Sequence, residues 1–200
     1  MHPPARMLGA PDPIRQARPD EARALAPMFA RAFLDDPVAS WALPSARRRE
    51  AQLRRFYTVR LATLLPEELS FCSEDHSGAA LWAPPDRWRE PPSELLRYRI
   101  FTRSLARFLI GGRAIEQAHP REPHYYLFSV AVDPAAQGRG LGGALMRPML
   151  ERCDAEGVPA YLESSKERNL PLYERHGFQV TRVLELFRGP PLWLMWREPR

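Results

Sequence analysis

Four glycines in six residues, within Gln137-Gly138-Arg139-Gly140-Leu141-Gly142-Gly143, are the densest chemical signal in this sequence. Glycine lets a backbone adopt positive φ and come close to a ligand. The run follows an apolar segment, residues 124–132, and precedes a helical pattern over 140–156. A helix that begins there offers free N–H groups and a partial positive charge to an anion such as a pyrophosphate. A tight turn that uses glycine for geometry alone accounts for the run equally well. No Gly-Lys-Ser/Thr follows, so this is not a nucleotide-hydrolase phosphate loop. Gly138, Gly140 and Gly143 spell Gly-x-Gly-x-x-Gly, but a dinucleotide fold places that pattern after its first strand, and here it comes late.

The other reactive side chains exclude more than they suggest. Cys72 and Cys153 lie far apart with no metal-ligand spacing and no disulfide framework, so buried reduced thiols are expected. Histidines 2, 76, 119, 124 and 176 form no metal-spaced cluster, and no metal is expected. The net charge of +5 is almost entirely arginine, with Lys166 the only lysine. That bias suits a polyanionic small ligand; the arginines are scattered, and no nucleic-acid motif accompanies them. No apolar run approaches the roughly 18 residues that span a bilayer, and no leader pattern is seen, so a cytoplasmic protein is expected.

The elements that must position the glycine run read as α/β. Residues 14–17 form a short first strand, and Asp20 sits where an N-cap is expected. Leu25, Met28, Phe29, Ala32 and Phe33 recur at helical spacing, and Pro27 predicts a kink or a late start. Asp35-Asp36-Pro37 ends that helix. A second helix is predicted over 45–65. Residues 69–73 and 79–83 read as strands joined at His76-Ser77-Gly78. Residues 93–110 are amphipathic and helical, with Gly111-Gly112 as an interruption. The strongest strand is 124–132, apolar on both faces. After the helix at 140–156 come a strand at 158–163, a short helix at 170–176 closed by Gly177, and strands at 178–183 and 192–197. One domain over 14–200 with a mixed, twisted sheet flanked by helices is the natural packing, and residues 1–13 read as a loose tail.

At this point a resemblance becomes specific. Val130-Ala-Val-Asp-Pro-Ala-Ala-Gln-Gly-Arg-Gly-Leu-Gly-Gly is similar to the coenzyme motif of the GNAT acetyltransferase superfamily, Gln/Arg-x-x-Gly-x-Gly/Ala, with Gln137, Gly140 and Gly142 at its fixed positions. Asn169-Leu-Pro-Leu-Tyr173-Glu-Arg-His-Gly177-Phe178 resembles that family's Asn-x-x-x-Tyr-x-x-x-Gly-Phe segment. Residues 157–163 and 168–178 further resemble the puromycin N-acetyltransferase group. The resemblance implies a single-domain GNAT-like fold with a splayed central sheet, and acetyl-CoA as co-substrate. It implies main-chain contacts from Val130, Ala131 and Val132 to the pantetheine arm. Gly138, Gly140, Leu141, Gly142 and Gly143 would hold the pyrophosphate, with Arg139 as an added charge. Asn169 would touch pantetheine, or N-cap the short helix, or both.

Within that resemblance Tyr173 is the expected general acid. A phenol titrates near about 10 and a free thiol near about 8.5, so proton transfer to a departing thiolate is nearly balanced. A backbone N–H near Val130 or Ala131 would meet the oxyanion. Some relatives carry a glutamate base on the strand before the glycine loop; here that strand has Tyr125, Tyr126 and Phe128. Glu163 is the remaining carboxylate, against a water chain with no dedicated base. Phe33, Asp35, Asp36, Trp41, Tyr125 and Tyr126 are the expected acceptor pocket, where carboxylates attract a cationic amine and aromatics hold its body. A small-molecule primary amine is the expected partner, with no nucleic acid and no membrane, in a monomer or homodimer. A peptide N-acetyltransferase and a non-catalytic acyl-CoA-binding module are the competing readings.

Overall fold

The computed structural model describes residues 13–85, 87–89, 97–98 and 103–200. Strand β1 (Ile14–Gln16) is followed by a 3-10 turn, Pro19–Glu21, in which Glu21 rather than Asp20 does the capping. The Glu21 carboxylate accepts the Arg18 backbone N–H at 2.7 Å. Arg15 reaches the same carboxylate through Nη1 and Nη2 at 2.9 and 2.7 Å, which holds the Glu21 carboxyl far below the usual range. Helix α1 (Ala22–Ala32) therefore starts ahead of Pro27 and runs through it, at the cost of one backbone hydrogen bond. Leu25, Met28 and Phe29 are fully buried and hold it in place.

A short helix not foreseen in the sequence, α2 (Pro37–Ala42), follows at once. Asp36 starts it: its Oδ1 accepts the N–H groups of Val38 and Ala39, both at 3.0 Å, and Pro37 supplies a fixed φ at the first position. Helix α3 (Ala46–Leu64) buries Leu53, Tyr57, Leu61 and Leu64. Strands β2 (Phe71–Ser73) and β3 (Gly78–Ala83) pair antiparallel, and every residue of β3 is buried.

Helix α4 (Arg103–Ala118) runs straight through Gly111-Gly112, so these glycines do not interrupt it. The Trp41 ring lies 3.0 Å from where a Cβ on Gly111 would stand; the glycine admits the indole between α2 and α4. The start predicted for this helix, at residue 93, lies outside the described residues, as do residues 1–12 of the predicted tail. Then come β4 (Tyr125–Val132), α5 (Leu141–Glu156), β5 (Ala160–Ser164), α6 (Leu170–Arg175), β6 (Gln179–Glu185) and β7 (Pro191–Arg197).

The strands form one seven-stranded mixed sheet in the order β1-β2-β3-β4-β5-β7-β6. Only β4 and β5 are parallel neighbours. One core packs α1, α2 and α3, with residues of α4, against one face. The other packs α5 and α6 against the opposite face. Both cysteines are buried free thiols. Among the described residues no helix is long and apolar enough to cross a membrane.

Candidate active site

The site begins as a fault in the sheet. β4 and β5 pair only at Tyr125↔Ala160 and Tyr126↔Tyr161. Beyond Tyr126 the strands diverge, so the β4 edge from Leu127 to Val132 faces a cleft instead of a neighbour. A second irregularity lies on the other edge of β4. Leu81 pairs with Ser129 and Trp82 with Leu127, which leaves Phe128 as an extra residue, a β-bulge. Strict alternation would send Phe128 and Ser129 to opposite faces. The bulge turns both toward α3: Ser129 Oγ lies 3.3 Å from the Tyr57 hydroxyl, and the Arg60 guanidinium sits 4.1 Å over the Phe128 ring.

The cleft has a volume of about 520 Å³ and opens toward the start of α5. Asp133 turns the chain there by accepting the Ala135 N–H at 3.1 Å. Arg31 of α1 binds Asp133 at 2.5 Å and holds its carboxyl below the usual range. Gln137 Nε2 donates to the Val132 carbonyl at 3.1 Å, tying the glycine run to the end of β4. Gly140 is the N-cap of α5 with φ +77°, in open space, so backbone geometry and not crowding requires the glycine. Gly143 has the opposite reason: a Cβ there would meet the His176 ring at 2.9 Å, so it lets α6 approach α5.

Val130, Ala131 and Val132 line the cleft, as do Gln137, Gly138 and the first turn of α5, Gly140 through Gly143. Arg139 does not; it is exposed and turns back to the Ala135 carbonyl at 3.5 Å. Three cations the sequence reading missed do line it: Lys166, Arg168 and Arg175. Their only sequence signal was position, flanking or inside the second glycine-containing motif. Asn169 also lines the cleft, and its side chain makes no capping hydrogen bond to α6, so its amide remains available.

Tyr173 reaches the cleft from α6. It is buried, edge-on to Phe178 with ring centroids 6.2 Å apart, and its hydroxyl has no hydrogen-bond partner among the described residues. Burial first, and the Asp36 charge second, push its phenol up to about 12. Glu163 reaches the cleft from β5. Its Oε2 accepts the Tyr126 hydroxyl at 2.7 Å, and its Oε1 faces His119 Nδ1 at 3.5 Å.

Of the expected acceptor residues, Phe33 and Asp36 line the cleft. Asp36 is buried, and its Oδ2 accepts a short hydrogen bond from Ser165 Oγ, linking the α1–α2 junction to the end of β5. Asp35 is exposed and off the cleft. Trp41 is turned into the α2–α4 contact, against Gly111 and Gly189. Tyr125 faces α5 and donates to Glu156 at 2.6 Å. Tyr126 faces the other side and touches Glu163. Phe128 and Ser129, placed by the bulge, line the space instead.

Folding also assembles one group with metal-ligand chemistry that spacing hid: Glu21, Cys72 and His76 place ligand atoms within 4.8 Å of one another. Arg15 occupies both Glu21 oxygens, and burial raises Cys72 to about 11, so this group is a closed ion-pair cluster.

Known proteins are similar to this chain in sequence and in fold. An uncharacterized N-acetyltransferase of Schizosaccharomyces pombe is 29% identical over 189 residues, covering 84% of this chain and 76% of the yeast protein. A Corynebacterium glutamicum structure named histone acetyltransferase HPA2 and related acetyltransferase superposes with a TM-score of 0.69 at 24% identity, over 94% of this chain and 97% of that one. The Drosophila melanogaster polyamine N-acetyltransferase superposes with a TM-score of 0.65 at 18% identity, over 92% and 98%. Residues 61–178, which contain the cleft strand, the glycine run and the Asn169–Phe178 motif, match the Acetyltransferase (GNAT) family, and the chain belongs to that family of acetyltransferase enzymes.

Proposed function

We propose that this enzyme transfers the acetyl group of acetyl-CoA directly to the primary amine of a small molecule with an apolar or aromatic body. The observation that carries the reading is the β4–β5 divergence, which puts Glu163 and Tyr173 on one cleft with the glycine loop. Val130, Ala131 and Val132 would pair with the pantetheine amides, and Asn169 would touch the same arm. The free N–H groups at the start of α5 would take the pyrophosphate. Lys166, Arg168 and Arg175 would add the positive charge expected of Arg139. Phe33 and Phe128 would hold the acceptor body, and Asp36 its cation.

Glu163 would take a proton from the acceptor nitrogen, leaving its electron pair to attack the thioester carbon. The C–N bond forms, the carbonyl oxygen gains charge against a β4 backbone N–H, and the C–S bond breaks. Tyr173 would give its phenolic proton to the departing thiolate, and the second proton of the newly acylated nitrogen would return to the tyrosinate. The puromycin N-acetyltransferase group is the proposed subgroup, supported by residues 157–163 and 168–178 and by Glu122-Pro123 before the cleft strand; an antibiotic or other xenobiotic amine is the corresponding acceptor. A cytoplasmic setting fits the co-substrate.

The test is thiol release from acetyl-CoA with 2-phenylethylamine, spermidine, puromycin and an N-terminally free peptide. Turnover with the aromatic small amines supports the proposal. Turnover with the peptide alone replaces it by the peptide reading. Saturable acetyl-CoA binding by calorimetry with no thiol release from any acceptor leaves only a binding module.

A further inference from the structure

Glu163 Oε1 and His119 Nδ1 are both buried, both lack any hydrogen-bond partner, and face one another at 3.5 Å. The rest of the cluster fixes the protons. His124 Nδ1 lies 2.6 Å from the Glu122 carbonyl, which can only accept, so Nδ1 carries a hydrogen. His124 Nε2 of the neutral ring is then an acceptor. It lies 2.9 Å from His119 Nε2, which must donate. With both rings neutral, the lone pair of His119 Nδ1 points at a carboxylate oxygen. Two acceptors thus confront one another in a dry site, and one proton between them would satisfy both.

We propose that this gap is the resting place of the proton removed from the acceptor amine, so that His119, backed by His124, is the positioning residue that makes Glu163 a base. The inference rests on the reading of Glu163 as that base. An N–H bond of the acceptor breaks and an O–H bond forms on Glu163. The proton then settles between Oε1 and His119 Nδ1, and the positive charge is shared with His124 through the Nε2–Nε2 bond. The proton leaves to solvent in a later step, so each turnover that starts from an ammonium releases one. At low pH a solvent proton fills the same gap and the base is spent.

The surroundings are aromatic, with one neutral competitor for the carboxylate: the buried Tyr161 hydroxyl, otherwise unpartnered, which acts on Glu163 as a donor. Trp88 stacks on His119 with centroids 3.4 Å apart, and Tyr126 and Tyr161 meet its ring edge-on at 4.9 and 4.8 Å. Trp196 flanks His124 at 5.4 Å. Burial, with the Glu163 charge after it, keeps both Tyr126 and Tyr161 protonated well beyond the ordinary phenol range. The charged groups that bear on this box from outside are Arg60 of α3, which acts on Tyr126, Arg89 over Trp88 at 5.0 Å, paired to Glu116 of α4 at 3.4 Å, and Arg182, which acts on Tyr161.

Nitrogen-15 NMR of the imidazoles in the intact labelled chain tests this without an acceptor, with His119 and His124 assigned from single His→Gln variants. The expected result is that His119 Nδ1 gains a proton as pH falls, and that this step vanishes or moves down by at least about one pH unit in Glu163→Gln, whose amide can donate into the gap. With 2-phenylethylamine as the acceptor, wild-type kcat/KM should fall on the acid side with the same midpoint. In His119→Gln that midpoint should move lower and the plateau should drop about tenfold. A His119 that stays in one neutral form from pH 5 to 10, or titrates identically in Glu163→Gln, overturns the proton store, while a large loss of activity in Glu163→Gln would leave the base reading standing. Full activity in Glu163→Gln removes the base reading itself.

Discussion

The two sides of the cleft are built from opposite materials. On the β5 side, Glu163 sits in a polar, aromatic box: a phenol donates to one carboxyl oxygen and an imidazole faces the other. On the α6 side, Tyr173 sits among apolar groups, with Phe178 at its edge and no hydrogen-bond partner among the described residues. A base must find somewhere to put a proton, and an acid must keep one until charge appears. Burial without partners suits the acid proposed for Tyr173, because it penalises the tyrosinate and pushes the phenol up to about 12. That value exceeds the ordinary thiol range, so the near-balance expected from unperturbed values does not hold as stated. The proton of Tyr173 is therefore held more tightly than an ordinary thiol holds its own, and its transfer needs the coenzyme thiolate to be desolvated as it leaves.

The strongest way to break this contrast is Glu163→Gln. It should lower kcat/KM by about 10²–10⁴-fold and remove the limb on which activity rises with pH, measured from pH 5.5 to 9.5. An unchanged profile would leave deprotonation to water. Tyr173→Phe should lower kcat by about 10²-fold with little change in the amine KM, since the lost interaction forms only as the thiolate leaves. The sign of its pH behaviour also differs. Tyr173 is protonated and competent below about 12, so it contributes no limb in an ordinary assay range, and the variant should keep the wild-type profile shape. A variant that lost its alkaline limb would show that the phenol titrates within that range.

The two sides were not equally legible in the sequence. The Tyr173 side follows from local pattern: Gly177 with φ +93° follows a short helix that carries Tyr173, and Phe178 comes directly after that glycine. The glycine run was legible for the same reason, since positive φ at Gly138 and Gly140 is a local demand. The Glu163 side depends on contacts between distant segments. His119 lies at the end of α4 and Glu163 on β5, and no spacing rule joins them. The spacing of the histidines along the chain shows only that they form no metal-spaced set, whereas their neighbours in the fold decide their role. The β4 bulge displaced the expected acceptor residues in the same way. Alternation along 124–132 gave no sign that Phe128 and Ser129 would share a face, because a bulge is set by the partner strand. Asp36 was legible as a helix stop but not as the start of α2 or as the partner of Ser165.

Asp36 lies between the two sides and allows a finer test. Asp36→Asn keeps an N-cap oxygen for Val38 and Ala39, so the fold should survive with a loss of under about 1 kcal/mol. Removing the charge should raise the KM for a cationic amine by about tenfold, as befits the loss of one partly screened ion pair. It should also shift Tyr173. The Asp36 charge is the second cause of the raised phenol, so its loss lets the phenol titrate lower, toward its ordinary value. Direct titration of the tyrosine ring signals would read that change; an unmoved Tyr173 would mean that burial alone sets it.

The smallest effect should come from Tyr126→Phe, and its direction carries the information. Burial keeps Tyr126 protonated, so its hydroxyl can only donate to Glu163 Oε2, favouring the carboxylate over the acid. Without that donor the charged form loses a hydrogen bond worth about 1.5 kcal/mol, close to one pH unit. The acid-side midpoint of kcat/KM should therefore rise by up to about one unit, while the plateau changes only about two- to fivefold. His119→Gln should move the same midpoint the other way, because it places a donor where the imidazole presents a lone pair. Opposite shifts from two neighbours of one carboxylate would separate a group that steadies the charged base from a group that receives its proton. Shifts of the same sign would mean that both residues only pack against Glu163, and the two sides of the cleft would then differ in polarity without differing in task.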